Sequence, residues 1–291
     1  MTAADLAVVS AEVDRARAAG EFQASSDADA TFLLQSLALD PTTAACAFED
    51  GEVVGFASGE FKIVIVRPDR RRAGIGRRLV AFTRLMERER GRDQLILGCL
   101  PDDEVGRAFL EATGFSFHST LWDLEIPAER AVPEPLWPVG LTARPFAGAE
   151  DVAPWVELFN VAFADHATPL QLDASFVIAG LDDPAVDDRD LLLVADTASG
   201  QLVGFCATAP IRRDGRVEPR AEIWTVGVRP GNQGAGLGRQ LLRWGVGYLR
   251  SLAIPRIDLS VNGRNERALG LYESEGFVRV RTRERWAQAV G

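Results

Sequence analysis

The sequence is short of lysine, cysteine and tyrosine, and it contains no long apolar run. The cysteines Cys46, Cys99 and Cys206 stand far apart without a C-x-x-C pair, so we expect neither a metal site nor a disulfide framework. No segment has the length of a membrane span, and the first residues carry no basic stretch followed by an apolar one. The sequence therefore predicts a cytoplasmic protein with no membrane partner.

Positive charge is also scarce, since 32 Lys and Arg residues face 42 Asp and Glu residues and leave a net charge of −10. Nucleic acid is then an unfavourable partner, because a phosphate backbone requires a basic surface. One stretch departs from this trend and needs an anionic partner or a solvated face: Arg70, Arg71, Arg72, Arg77 and Arg78. A length of 291 residues allows two domains of ordinary size.

The chain contains an internal repeat at an offset of 162 residues. Residues 59–68, GEFKIVIVRP, align with residues 221–230, AEIWTVGVRP, and the glycines that follow keep the same register. Four prolines between Pro127 and Gly140 indicate a linker, because proline interrupts helices and central strands. The sequence predicts domains at residues 1–126 and 141–291, joined by a proline-rich linker at 127–140.

The hydrophobic pattern of the second half alternates between strands and helices. Strands are expected near residues 141–146, 191–195, 202–207, 222–228 and 257–261, and helices near 151–163, 237–249 and 266–274. This order predicts an α/β domain with a mixed sheet flanked by helices.

A glycine-rich run, Gln233 to Gly238, lies between a predicted strand and a predicted helix. Unpaired N–H groups at a helix N-terminus bind phosphate oxygens, and glycines let the backbone approach the ligand. The alternative is a tight turn that holds no ligand. The run lacks the lysine of a P-loop and the wider spacing of the dinucleotide fingerprint, which leaves a pyrophosphate bound by backbone amides.

The motif V-G-V-R-P-x-x-Q-x-x-G-x-G, followed by N-x-x-A-x-x-x-Y-x-x-x-G-F from Asn265, resembles the GNAT superfamily of N-acetyltransferases. The resemblance covers the core of both halves, and the two-copy arrangement is similar to that of the mycothiol synthases. It implies two tandem GNAT-like domains, each with a mixed, mostly antiparallel twisted sheet, and acetyl-CoA as the acyl donor. In this family the strand before the glycines separates from its neighbour, and Gly227 fits a bulge or a close approach there, although a packing role is also open.

The resemblance implies that Glu222 is the general base and that Tyr272 protonates the coenzyme A sulfur. Asn265 would contact the pantetheine arm, with a helix cap as the alternative. The other implied coenzyme residues of the second half are Val226, Gly227, Val228, Gln233, Gly234, Ala235, Gly236, Leu237, Gly238 and Arg239. The first-half equivalents are Val64, Val66, Arg71, Arg72, Ala73, Gly74, Ile75 and Gly76.

The first half keeps Glu60 but has Leu110 at the position of Tyr272 and Asp103 at that of Asn265. It also lacks the hairpin that the sixteen residues between Phe205 and Glu222 indicate. We therefore expect catalysis only in the second half, while the first half could still bind coenzyme A.

The acceptor is expected to be a primary amine of a small molecule, attacked directly in a ternary complex, with His166 as a candidate substrate contact. Two alternatives stay open: acetylation of a cysteinyl amine, as in mycothiol synthesis, and a regulatory acyl-CoA-binding protein without turnover. The sequence does not choose between a monomer and a homodimer.

Overall fold

The computed structural model describes residues 44–59, 62–164, 171–181, 186–213 and 216–291, together with residues 11 and 15. Contacts within the chain divide it into two compact units. The first contains Met1–Trp122 and Arg281–Gly291, and the second contains Asp123–Val280. No helix in these described ranges is long and apolar enough to cross a membrane.

The elements follow one another in an order typical of α/β domains. Up to residue 126 they are β1 (Ala44–Glu49), β2 (Glu52–Ser58), β3 (Ile63–Val66), α1 (Ile75–Glu89), β4 (Gln94–Cys99), α2 (Glu104–Ala112) and β5 (Ser116–Ile126). Beyond it they are β6 (Leu141–Pro145), α3 (Ala149–Ala162), α4 (Ala174–Gly180), β7 (Leu191–Asp196), β8 (Leu202–Arg213), β9 (Arg216–Val228), α5 (Leu237–Ser251), β10 (Arg256–Asn262), α6 (Glu266–Glu275) and β11 (Val278–Ala289).

In the first unit, β1, β2 and β3 form an antiparallel sheet, and β4 pairs with the C-terminal strand β11. The β4–β11 pairing is antiparallel and runs from Cys99 opposite Glu284 to Gln94 opposite Ala289. Trp286 and Val290 are buried there with Leu95 and Leu97. This pairing explains why residues 281–291 group with the first unit, although the repeat and the proline-rich linker had placed them in the second predicted domain.

In the second unit, the strand order is β10-β9-β8-β7-β6. Only β10 and β9 are parallel, and the other three pairings are antiparallel. Helix α5 packs on one face of β8, where a Cβ on Gly245 would lie 2.9 Å from Cys206 Sγ. Helix α3 packs on the other face through an aromatic cluster that includes Trp155, Phe159 and Phe205. The predicted mixed, mostly antiparallel sheet flanked by helices is confirmed.

Strands β8 and β9 are longer than their apolar patterns indicated. The predicted strands covered residues 202–207 and 222–228, whereas the structure extends the pair to a hairpin with Arg213 opposite Arg216. The added segments are rich in arginine and partly exposed, so they carry no alternation of apolar and polar residues.

Candidate active site

Strand β9 separates from β10 halfway along its length. The two strands pair only at Arg220–Arg256, Ala221–Ile257 and Glu222–Asp258. Beyond Glu222, β9 stays paired with β8 as far as Val228. The amide of Arg229 donates to Val203 O at 2.9 Å, on the β8 side. Because alternate amides of a strand point to opposite edges, the N–H groups of Val226 and Val228 face the opening.

A glycine-rich loop follows this opening. The Gln233 side chain closes it, since Nε2 donates to Val228 O at 3.0 Å while Oε1 accepts from Arg267 Nη1 at 2.7 Å. Gly234 and Gly236 have φ of 89° and 83°, in the left-handed region that glycine tolerates best.

Helix α5 begins at Leu237 without a side-chain cap. The loop from Gln233 to Gly236 is exposed, while Leu237 is buried and anchors the helix. Gly238 leaves space, because a Cβ there would lie 3.7 Å from the nearest atom, Cδ2 of Leu271. An accessible helix N-terminus of this kind fits a phosphate or pyrophosphate group.

Gly227 lies close to the Phe205 ring, but it is not the residue that forms the bulge of β9. It lies directly opposite Phe205, and a Cβ on it would lie 2.6 Å from Phe205 Cζ. The bulge lies three residues earlier: Ala207 pairs with Thr225 and Thr208 with Ile223, which leaves Trp224 without a partner on β8. Glycine at 227 therefore makes room for an aromatic ring.

Glu222 lies at the last paired position before the opening, opposite Asp258. The side chain of Ile223 contacts the α5 side of the sheet, beside Gly245, so Glu222 points to the α3 side. Asp258 is buried and pairs with the partly buried Arg220, whose Nη2 lies 2.8 Å from Asp258 Oδ2. Burial raises the pKa of Asp258, and the Arg220 guanidinium opposes that rise.

Tyr272 lies on α6 and packs against Phe277, with ring centroids 6.1 Å apart. Part of the residue's surface is accessible, but the hydroxyl is densely surrounded by protein. This burial, with a smaller contribution from the Cys206 thiol, raises the pKa of Tyr272 to about 12. The hydroxyl is therefore protonated at neutral pH and can serve as a proton donor.

Asn265 caps helix α6, because its side chain accepts a hydrogen bond of 3.1 Å from the Ala268 amide. The capping role was one of the two alternatives for this residue, and the structure shows it. Arg239, expected to contact the coenzyme, lies in an ion pair: it and Arg243 both contact the buried carboxylate of Glu275.

The first unit contains a second loop of the same construction. Arg71 Nε donates to Val66 O at 3.0 Å, the same bond that Gln233 makes in the second unit. Gly74 has φ 79° and precedes α1, whose first residue Ile75 is buried. Arg72, at the position of Gly234, has φ 68° although it is not a glycine.

Strands β3 and β4 of the first unit are also separate. They belong to different sheets, although Gly98 N of β4 donates to the carbonyl of Lys62, just before β3, at 2.7 Å. The amide of Arg67 donates to Val54 O, so by alternation those of Val64 and Val66 face the gap. Gly76 lies under Phe109, whose ring atoms would be 3.1 Å from a Cβ there. Leu110, at the position of Tyr272, belongs to the apolar core.

Two of the residues singled out in the sequence are not among those that the structure describes. His166 and Glu60 lie outside the described residues, so their roles stay predictions. The described ranges contain no group of three or more His, Cys, Asp or Glu side chains arranged to hold a metal ion. Sequence reasoning missed Trp224, which stacks on Phe159 and is 46% exposed.

Comparisons with known proteins agree with this geometry. The model of the acetyltransferase (GNAT) family matches residues 12–115 and 153–277. The mycothiol acetyltransferase of Kytococcus sedentarius is 32% identical over 241 residues, covering 80% of this chain and 78% of that protein.

Two solved structures share the fold over the whole chain. A GCN5-related N-acetyltransferase from Sphaerobacter thermophilus has a TM-score of 0.68 at 22% identity, covering 100% of this chain and 94% of that one. A tandem GNAT protein from the clavulanic acid biosynthesis pathway has a TM-score of 0.67 at 20% identity, covering 99% and 95%. One explanation accounts for the internal repeat, the separated strands and the two glycine-rich loops: the chain belongs to the GNAT family and is an acetyl-CoA-dependent acetyltransferase.

Proposed function

We propose that the second unit transfers an acetyl group to the primary amine of a small molecule by direct attack in a ternary complex. The observation that carries the proposal is the opening between β9 and β10, which begins at Glu222 and leads to the loop at Gln233–Gly238. The amides that face the opening and the exposed loop fit the pantetheine arm and the pyrophosphate of coenzyme A. Acetyl-CoA supplies an acetyl thioester.

In the proposed chemistry one side chain accepts a proton and another donates one. The amine nitrogen forms a bond to the acetyl carbon while the carbon–sulfur bond breaks. Glu222 takes the proton that the nitrogen loses, directly or through water, and the Tyr272 hydroxyl gives its proton to the departing sulfur. The Val226 and Val228 amides, which face the opening, stabilise negative charge on the acetyl oxygen.

The curated relatives suggest a narrower acceptor. Because a protein 32% identical to this chain is named mycothiol acetyltransferase, a cysteinyl amine of a thiol precursor is the second candidate. The two candidates share the same donor site and differ only in the acceptor.

The test follows acetyl-CoA-dependent thiol release with a panel of primary amines, including cysteine amide with its sulfur blocked. We expect release with at least one amine and a loss of about a hundredfold in kcat/KM for Glu222→Gln, the usual contribution of a general base. Tight coenzyme binding without release with any amine, including the cysteine derivative, would instead favour a regulatory acyl-CoA-binding protein.

We further propose that the first unit binds coenzyme A without turning it over. Its loop is closed by Arg71 as the second loop is by Gln233. Arg72, Arg77 and Arg78 form no ion pair among the described residues, whereas Arg239 and Arg243 of the second unit are held by Glu275. Unpaired guanidinium groups favour the phosphates of a nucleotide.

Calorimetric titration of the full chain with coenzyme A tests this second site. We expect two sites per chain, and one after Arg72→Glu and Arg77→Glu are combined. Arg239→Glu, the counterpart of Arg77→Glu, is the matched change in the other loop. A stoichiometry of one in the unaltered protein contradicts the proposal.

A further inference from the structure

Trp224 is a large aromatic side chain held at the surface by an irregularity of strand β9. It is the extra residue of the bulge between Thr225 and Ile223. Bulges redirect side chains and are frequent next to active sites. The indole is 46% exposed, although neighbouring Ile223 is buried. The bulge therefore presents an indole to solvent beside a well-packed strand.

The indole is supported from below. It stacks on Phe159 with ring centroids 6.0 Å apart and an angle of 21° between the planes. Phe159 is 3% exposed and stacks in turn on Phe205 at 5.7 Å. Phe205 lies over Gly227, where no Cβ blocks it. This aromatic support fixes the position of the indole, so little side-chain conformational entropy remains to be lost when a ligand binds.

Trp224 lies on the same face of the sheet as Glu222. Ile223, between them, contacts Gly245 of α5 on the opposite face. The stacking on Phe159 places Trp224 on the α3 face, and alternation places Glu222 there also. The indole and the proposed base thus lie on one face at the start of the opening.

The described part of the first unit shows no equivalent exposed ring at the matching position. The residue in register with Trp224 is Lys62, whose φ of 58° and hydrogen bond from its amide to Gly59 O place it in a tight turn. The exposed indole is a property of the unit that contains Tyr272.

We propose that Trp224 recognises the acceptor, by packing its indole face against a ring or flat apolar segment next to the amine. This inference rests on the proposed amine acetylation and specifies its acceptor class. A fixed aromatic face gains most from a flat carbon surface, through area and ring geometry. Small amines without such a surface bind through the amine alone.

The experiment compares two primary amines of similar basicity, benzylamine and 2-methoxyethylamine, with acetyl-CoA. We expect the unaltered enzyme to prefer benzylamine. Trp224→Ala should lower kcat/KM for benzylamine about tenfold, chiefly through KM, and that for 2-methoxyethylamine less than about threefold. Trp224→Phe, which keeps an aromatic face, should retain most of the preference.

Trp244→Ala is the matched control, because it truncates a tryptophan of α5, on the other side of the sheet, that stacks on Tyr248. It should leave the ratio between the two amines unchanged. An equal loss with both amines in Trp224→Ala and Trp224→Phe, or no initial preference, overturns the inference.

If the unaltered enzyme acetylates neither amine and no other in the panel, the proposed function fails. The inference is then judged by calorimetric binding of benzylamine to the coenzyme A complex. A tenfold weakening in Trp224→Ala supports it, and an unchanged affinity overturns it.

Discussion

The two units build the same loop and surround it differently. In each, a side chain from the loop closes onto the last carbonyl of the preceding strand: Arg71 onto Val66 in the first unit and Gln233 onto Val228 in the second. A glycine with a left-handed backbone conformation then precedes the helix as its N-cap, Gly74 in the first unit and Gly236 in the second. This closure depends on backbone geometry, so two different side chains can make it.

The residues around the loop are where the units diverge. Phe56 faces Ile65 across its strand pair, whereas Phe205 faces Gly227. Leu110 belongs to an apolar core at the position where Tyr272 presents a hydroxyl. Under the proposed assignments, coenzyme binding and acid–base chemistry are separable in this fold, because the shared loop geometry is kept in both units while the proposed proton donor is present only in the second.

The largest expected effect on activity distinguishes Tyr272 from Leu110, its first-unit counterpart. Tyr272→Phe should lower kcat about a hundredfold, because the leaving sulfur loses its proton donor. With the pKa of Tyr272 raised to about 12, the hydroxyl stays protonated as pH rises, so its loss of a proton should not reduce kcat until the pH approaches that value.

Initial rates of thiol release across pH measure this effect. Tyr248→Phe is the control, because Tyr248 donates to Asp190 Oδ1 at 2.8 Å in a separate cluster. Full activity of Tyr272→Phe at neutral pH would mean that the acid is another group.

The second prediction concerns the strand that completes the first unit. Trp286 is buried on β11 and packs edge-on against Phe117 at 6.2 Å. Trp286→Ala should lower the free energy of unfolding by about 3–5 kcal/mol, the usual cost of such a cavity. Scanning calorimetry should show this loss in the first unit, together with weaker coenzyme binding at its loop. Loss confined to the acetyl-transfer rate would contradict the assignment of β11 to that unit.

The third prediction tests the contrast between Gly227 and Ile65. Gly227→Ala should destabilise the protein by about 1–3 kcal/mol, because the new methyl group overlaps the Phe205 ring. Ile65→Ala at the matched position removes volume instead, so it should leave a cavity without displacing Phe56. Denaturant unfolding gives the midpoint of each variant. An unchanged midpoint for Gly227→Ala would show that the Phe205 ring moves aside without cost.

The smallest expected effect compares Arg72 with Gly234. Arg72 has φ 68°, a conformation that strains residues with a side chain. Arg72→Gly should therefore stabilise the protein by up to about 1 kcal/mol, while Gly234→Ala should destabilise it by a similar amount. Thermal unfolding measures both, and a destabilised Arg72→Gly would show that the arginine side chain compensates for its backbone.

The sequence predicted the loop well, because glycine spacing and a strand-to-helix transition are local signals. For Asn265 it gave a helix cap only as the alternative to a pantetheine contact, and the structure shows that Asn265 and its counterpart Asp103 both accept from an amide three residues on, at 3.1 and 2.8 Å. It could not locate the bulge at Trp224, because a two-to-one register depends on the partner strand. For the same reason it placed Gly227 in a possible bulge, whereas the glycine accommodates Phe205.

The local sequence pattern also could not predict that residues 281–291 group with the first unit. In β11 arginine alternates with valine, threonine, glutamate and tryptophan, and such a pattern does not identify the partner strand, which long-range pairing decides. The spacing between Phe205 and Glu222 predicted a hairpin there, but the predicted strands were too short, because the arginine-rich ends of β8 and β9 lack the apolar alternation on which strand prediction depends.

The pairing of β11 with β4 also sets an order of events during synthesis. A ribosome releases Leu95 and Leu97 long before Trp286 and Val290, the residues that bury them. Until then the first unit has an incomplete core and an unpaired strand edge, both of which favour aggregation. The second unit, Asp123–Val280, is complete at that moment. The half that is made first is therefore the half that finishes folding last.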